Sequence, residues 1–326
     1  MIPQISNDGR SSKLNIFWNV LRILIGILLM LFLLIKLDIE KILHQFKSLD
    51  IKFLLYALIP YFLFIIVSAW RWQVLLDYKK MEMPFKNSLV IYFISLFFNN
   101  FLPTTVGGDV MRVLYSTKNR KTDALAIVLA DRILGFVGLF IFGFFAVVYL
   151  YLFQNRTEFI SLMIIGLFVL IFLTFILFSE RVYTIFSPIM VKIKFFNIGD
   201  RINNLHKTMT YFGSAWGVII LCIIQSIIIQ ILLALAPYLV LQSIGNFEVS
   251  LLPFFIYLPI INVISMIPIS FNALGVRENA YVFLFQRTGL NGEVSLTVSL
   301  VSFFLIFTLS LLGGIFFIFY RKSSND

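Results

Sequence analysis

A single cysteine, Cys222, and only two histidines, His44 and His206, stand among 326 residues. One cysteine excludes an intrachain disulfide, and its place inside an apolar run argues against a thiol nucleophile. The two histidines lie in separate connecting segments without a partner at metal-ligand spacing, so no metal site is expected. Charge is scarce too: Asp, Glu, Lys and Arg make up 13% of the chain, about half the fraction usual in a soluble domain. No Gly-x-x-x-x-Gly-Lys-Ser/Thr run is present, which argues against direct use of ATP. Nothing in the chain calls for a cofactor, and none is expected. A small-residue cleavage signal is missing after the first apolar run, which Arg10, Lys13 and Arg22 surround. That run therefore reads as a retained first span.

What the chain has in quantity is apolar side chain: 60% of its residues are hydrophobic. Apolar runs fall at about 17–35, 53–76, 87–101, 123–153, 159–179, 214–241, 251–269 and 294–320. Several approach or exceed the roughly 20 residues that cross a bilayer. The expected class is an all-α polytopic membrane protein, a single integral-membrane domain over 1–326. The net charge of +10 then points to cytoplasmic loops and anionic headgroups, and not to nucleic acid.

Eight hydrophobic segments do not make eight crossings. With the N-terminus inside and every segment spanning, the basic stretches 112–121 and 180–213 both fall outside, against the positive-inside rule. If 87–112 and 251–288 instead dip into the membrane and return, the basic residues sort themselves. Arg10, Lys13, Lys79, Lys80, Lys86, the two basic stretches, Arg321 and Lys322 collect inside. Lys36, Lys41, Lys47, Lys52, Arg156 and Arg287 stay outside. This predicts six full spans plus two re-entrant helical hairpins, with both termini cytoplasmic in the inner membrane. Each half, 15–155 and 156–320, then reads span, span, hairpin, span. Three crossings per half give the halves opposite orientation, the inverted repeat of many transporters.

The polar chemistry sits in the hairpins. The first holds Asn99-Asn100-Phe-Leu-Pro103-Thr104-Thr105-Val-Gly107-Gly108-Asp109-Val-Met-Arg112. Pro103 and the glycine pair break the helix and free amides, which with Thr104 and Thr105 can donate to an anion. Arg112 has the planar fork suited to phosphate, and Asp109 three residues away can pair with it. The bland alternative is a cytoplasmic loop with an N-cap and a surface ion pair. The second hairpin repeats the chemistry as Pro268-Ile-Ser270-Phe-Asn-Ala-Leu-Gly275-Val-Arg277-Glu278. Charges there are expensive at membrane depth unless paired or wet; an exposed extracellular turn is the alternative. A third polar point is Asp131-Arg132 with Gly135. Arg132 either snorkels to the interface or lines a cavity beside Arg112. Trp70-Arg71-Trp72 reads as an interfacial belt with a snorkelling arginine, and 181–213 as a helix lying on the inner leaflet.

These motifs together resemble the transmembrane, flippase-like family named for lysylphosphatidylglycerol synthetase. The resemblance rests on Asn100, Pro103-Thr104, Gly107-Gly108-Asp109 with Arg112, Asp131-Arg132 with Gly135, and Pro268 through Leu274-Gly275-Val276-Arg277-Glu278. One departure is Ala273, where the family often has glycine. Bifunctional members carry an aminoacyltransferase domain after this region. Here the chain ends at Asp326, so the resemblance implies lipid translocation without synthesis. The implied partners are membrane lipids with anionic headgroups: aminoacyl-phospholipids, polyprenyl phosphates or lipid-linked sugars. Glycosyltransferases and lipid-synthesis proteins are further candidates, and oligomeric state is left open. In the expected mechanism Arg112 and Arg277 hold the phosphate in a groove between the hairpins, while Gly107, Gly108 and Gly275 let backbone approach it. Asp109, Asp131 and Glu278 neutralise the arginines when the groove is empty. An integral-membrane glycosyl- or aminoacyl-transferase, or a non-catalytic partner of a glycosyltransferase, are the other readings.

Overall fold

The computed structural model describes residues 9–101, 107–116, 120–154, 157, 160–161, 164–168, 215–267 and 269–320. Among them there are helices and turns and no strand. The protein is an all-α polytopic membrane protein. Its helices are α1 (Gly9–Lys36), α2 (Ile39–Lys47), α3 (Ile51–Tyr78), α4 (Phe85–Phe101), α5 (Gly107–Ser116) and α6 (Lys121–Gln154). After the segment around 169–214 come α7 (Trp216–Ser243), α8 (Leu252–Ser265), α9 (Val276–Phe285) and α10 (Gly292–Phe319).

Four of these, α3, α6, α7 and α10, are long and apolar enough to cross a bilayer alone. A fifth candidate is Val20–Lys36 with Ile39–Lys47, a pair bent by 93°. The bend follows from Asp38, whose carboxylate caps α2 by accepting from the backbone N–H groups of Glu40 and Lys41. Those donors, Lys41 first, hold the Asp38 carboxyl below its usual pKa. The expected sixth span, 159–179, and the helix expected over 181–213 lie largely or wholly outside the described residues.

The shorter helices form the two hairpins. At about 1.5 Å per residue, α5 and α9 are only about 15 Å long and cannot cross a bilayer of roughly 30 Å. α4 packs along α5, and α8 along α9. The first break lies between Phe101 and Gly107, so the glycine pair opens α5 as helix, and the second lies between Ser265 and Val276 and includes Gly275.

Lipid is as apolar as leucine, so helices in a bilayer hold together by close packing and polar contact. The longest contact pairs α3 with α7. The Asp50 amide donates to the Ser243 carbonyl at 2.7 Å, and Arg71 reaches Ser226 at 2.8 Å. The start of one helix thus meets the end of the other, and the pair is antiparallel. Around it, α4 packs on α10 as α8 packs on α6, and α5 packs on α6 as α9 packs on α10. In the α4–α10 seam Gly313 lies against the Phe93 carbonyl, leaving no room for a Cβ. Phe93 meets Phe316 edge to face, and Phe98 meets Phe317 likewise, with ring centroids 5.5 and 5.0 Å apart.

The second break is a tight one. Gly275 has φ +79°, and Asn272 and Ala273 also take left-handed backbone, at φ +49° and +56°. A Cβ on Gly275 would come within 2.7 Å of the Gly26 carbonyl and of Leu29, both in α1. For alanine the left-handed region costs about 1–2 kcal/mol. Ala273→Gly is therefore expected to stabilise the protein by about 0.5–1 kcal/mol after the extra freedom of the unfolded chain is counted. A thermal melt in detergent checks it, and an unchanged or lower midpoint would contradict the strain.

Candidate functional site

α3, α5 and α6 bring five charged side chains together at one level. Asp131, on α6, is fully buried and accepts from Arg71 Nε and Arg112 Nη2, each at 2.7 Å. Arg112 also lies 3.6 Å from Asp109, one turn back on α5. Asp109 in turn pairs with Arg132. The charges alternate as Arg71, Asp131, Arg112, Asp109, Arg132, so three positive groups face two negative ones.

The local sequence explains why they meet. Asp131 and Gly135 are four apart and share a face of α6. Gly135 leaves space for the guanidinium of Arg71; a Cβ there would sit 3.3 Å from both of its terminal nitrogens. Ser226 of α7 accepts from Arg71 Nη1 and turns its own proton to the backbone carbonyl of Cys222 or Leu134. Arg112 lies over Trp72 and Tyr92, with its guanidinium carbon 4.7 and 5.2 Å from the ring centroids. Such cation–π contacts favour a desolvated cation. The Nε–H of Arg112 is buried without an acceptor among the described residues.

These groups line a cavity of about 310 Å3. Asp109, Arg112, Asp131, Arg132, Arg71, Tyr92, Ser95 and Asn99 supply its polar wall, joined by Gln230 of α7 and Asn262 of α8. A smaller cavity of about 150 Å3 holds Arg277 with Tyr61, Tyr281, Ser299 and Ser302. Asn262 lines both. In the second cavity Arg277 pairs with Glu278 and stacks on Phe303 at 4.5 Å. Glu278 is fully buried, and its other oxygen accepts from the Gly275 N–H at 2.6 Å, capping α9. This is half of a capping box.

Several sequence expectations are redrawn by this geometry. Arg112 and Arg277 line two cavities and not one groove between the hairpins. Gly108 does not open the backbone to a ligand: a Cβ there would meet Ser95 and Asn99, so the glycine lets α5 close on α4. Gly107 is buried in the same turn, and Gly275 faces α1. Asn99, and not Asn100, accepts from the Gly108 N–H at 2.9 Å and lines the cavity. Asn100 is half-buried and Ser270 buried, and neither lines a cavity described here. Pro103, Thr104, Thr105 and Pro268 lie outside the described residues. Arg132 lines the cavity beside Arg112. Arg71 is no snorkelling residue; it is buried on Asp131, whereas Trp70 beside it faces outward and Trp72 inward.

Arg71 was hidden by its neighbours. Two flanking tryptophans mimic an interfacial belt, and the partner lies 60 residues away. The available signal was helical phase: Ser68, Arg71 and Trp72 share one face of α3, which the sequence spacing of three and four already implies.

Long apolar helices, two broken hairpins and a buried arginine–aspartate cluster facing a cavity define a multi-pass membrane protein with an internal polar site. The chain belongs to the family described as lysylphosphatidylglycerol synthase TM region, whose profile matches residues 19–314. It is similar to the UPF0104 membrane protein PH1989 of Pyrococcus horikoshii, at 25% identity over 93% of this chain and 97% of that protein.

Proposed function

We propose that this protein moves a phosphate-bearing lipid between the leaflets of a bilayer. The observation that carries the reading is the charge in the cavity at Arg112 and Asp131. Three arginines against two aspartates leave one positive charge in excess among the described residues that line it. A phosphate in the cavity brings the missing negative charge against the arginines that line it. Arg112 is the anchor, Arg132 and Arg71 add field, and Asp109 and Asp131 hold the arginines in place between visits. Arg277 and Glu278 form a second, internally neutral station reached past Asn262. Candidate cargo includes aminoacyl-phospholipids, polyprenyl phosphates and lipid-linked sugars.

The paired contacts support two inverted halves, 15–155 and 156–320, in which α3 corresponds to α7 and the hairpin α4–α5 to α8–α9. Equivalent helices running antiparallel, as α3 and α7 do, are what inversion requires. The excess of Lys and Arg in the alternate loops supports a cytoplasmic-membrane protein with both termini inside.

The test is reconstitution into liposomes with tail-labelled lipids whose outer-leaflet pool is quenched. Protein-dependent movement of phosphatidylglycerol or a polyprenyl phosphate is expected, with a neutral diacylglycerol at background. No protein-dependent movement of any anionic lipid would sink the reading. In intact cells, a cysteine at Glu248 should react with an impermeant reagent and one at Glu82 should not; the reverse pattern would invert the orientation.

A further inference from the structure

The seam between α6 and α8 carries a third cavity, of about 420 Å3, lined by Ile141, Phe142, Phe145, Ala146 and Tyr149 of α6, with Ile227 of α7 and Leu252, Phe255 and Ile256 of α8. Every one of these residues except the tyrosine is free of polar side-chain atoms. Its position relative to the charged cavity is set by helical spacing. On α6 the charged cavity takes Asp131, Arg132, Gly135, Phe136 and Leu139. The apolar one continues at Phe142, Phe145, Ala146 and Tyr149, again in steps of three and four, which keeps both on one face. On α8 the order is reversed: Asn262 and Met266 line the charged cavity, Phe255 and Leu252 the apolar one. Phe142 and Phe255 meet across the seam, with ring centroids 5.9 Å apart. The helices are therefore antiparallel, and the two cavities are successive stretches of one seam. From Asp131 to Phe142 is eleven residues, about 16 Å along the helix. Phe145 is 67% exposed and Leu252 42%, so the apolar stretch is open to the bilayer along its side.

We infer that the apolar stretch seats the hydrocarbon chain of the same lipid whose phosphate is held at Arg112. The inference deepens the transport reading and rests on it for the nature of the cargo. A polar head and an apolar chain need two unlike surfaces at a fixed separation, and the seam supplies them in line. The excess positive charge faces one end, and among the described residues no polar side chain but Tyr149 lines the other. At about 30 Å3 per small group, the apolar stretch takes on the order of a dozen methylenes. The occupant is thus a long-chain anionic lipid lying lengthwise along α6, entering sideways from the membrane. Its head and tail are read by the same helix, so chain length and head charge are selected together.

The experiment uses the full chain in liposomes with a phosphatidylglycerol bearing a diazirine midway along one acyl chain, and maps the cross-links by mass spectrometry. Cross-links are expected within 141–149 and 252–256. A diacylglycerol with the same diazirine chain should label that stretch about tenfold less, the loss expected for one charge-assisted contact. Arg112→Gln should lower phosphatidylglycerol labelling to the same level. Ala146→Phe, which fills the stretch and leaves the charged cavity intact, should lower it as well. Equal labelling by the neutral probe, or labelling unchanged in Ala146→Phe, would overturn the seat and leave only annular lipid. Labelling reports occupancy and not movement. A protein that labels as expected and never moves lipid overturns the transport reading alone; one that moves lipid while the neutral probe labels equally overturns the seat alone.

Discussion

Asp131→Asn is expected to lose most of its folded protein. The Asp131 carboxylate is almost completely buried and is the counter-ion of two arginines, each at 2.7 Å. Arg71 has no other charged partner in the cluster; its remaining contact there is the Ser226 hydroxyl. Removing one member of a buried ion pair typically costs about 3–5 kcal/mol, because the other charge is stranded. That is a large part of a total stability of about 5–15 kcal/mol. The measurement is the monodisperse fraction after detergent extraction, with a thermal melt of what survives. Asp131→Asn combined with Arg71→Gln should recover much of the yield, since Arg112 keeps Asp109 and no stranded guanidinium remains. A single variant that melts like the parent would show that water, and not Asp131, compensates these arginines.

Arg112→Gln is expected to behave in the opposite way, folding normally and failing to move lipid. Without Arg112 each carboxylate still has a partner: Asp131 keeps Arg71, and Asp109 keeps Arg132. Three positive and two negative charges become two and two, so the cavity turns neutral while its structure stands. One hydrogen bond to a charged group is worth about 1.5–3 kcal/mol. Anionic-lipid movement in the liposome assay should therefore fall about ten- to hundredfold. Arg112→Lys should restore only part of it, because an ammonium keeps the charge and loses the fork and the stacking on Trp72 and Tyr92. Transport at the parent rate in Arg112→Gln would make the residue a structural clamp and require a different anchor.

The helices were legible from hydrophobic runs, since length and apolarity alone decide what can cross a bilayer. The neighbourhoods of the breaks were legible too, from clustered proline, glycine and polar residues, although the Gly107-Gly108 pair turns out to open α5 and Pro60, Pro237 and Pro259 stand inside helices. Asp109 and Arg112, three apart, announce their pairing once α5 is helical. What stayed hidden depends on contacts between distant segments. No local pattern says that Arg71 meets Asp131, or that Gly135 is a glycine to make room for it. Whether Asn99 or Asn100 faces the cavity depends on the helical phase of α4 as it approaches a break, which a sequence of alternating polar neighbours does not define. The glycines were read as openings toward a ligand because they stand in a polar turn. Their neighbours, Ser95 for Gly108 and Gly26 for Gly275, lie on other helices and appear only in three dimensions. For the same reason the two arginines that share a motif chemistry were placed in one groove, whereas α8 separates their cavities with Asn262 as the shared wall.

The two counterpart seams differ in how much they can give. Along α4–α10, Gly313 brings backbone onto the Phe93 carbonyl, and phenylalanine rings fill the remainder. Close-packed interiors have low compressibility and transmit strain. Along α6–α8, two cavities interrupt the contact, one walled by paired charges and the other by side chains open to lipid. Stiffness is thus unevenly distributed between the two seams. The first ties the first hairpin to the last helix like a keel, and of the two the second is the one with room to give.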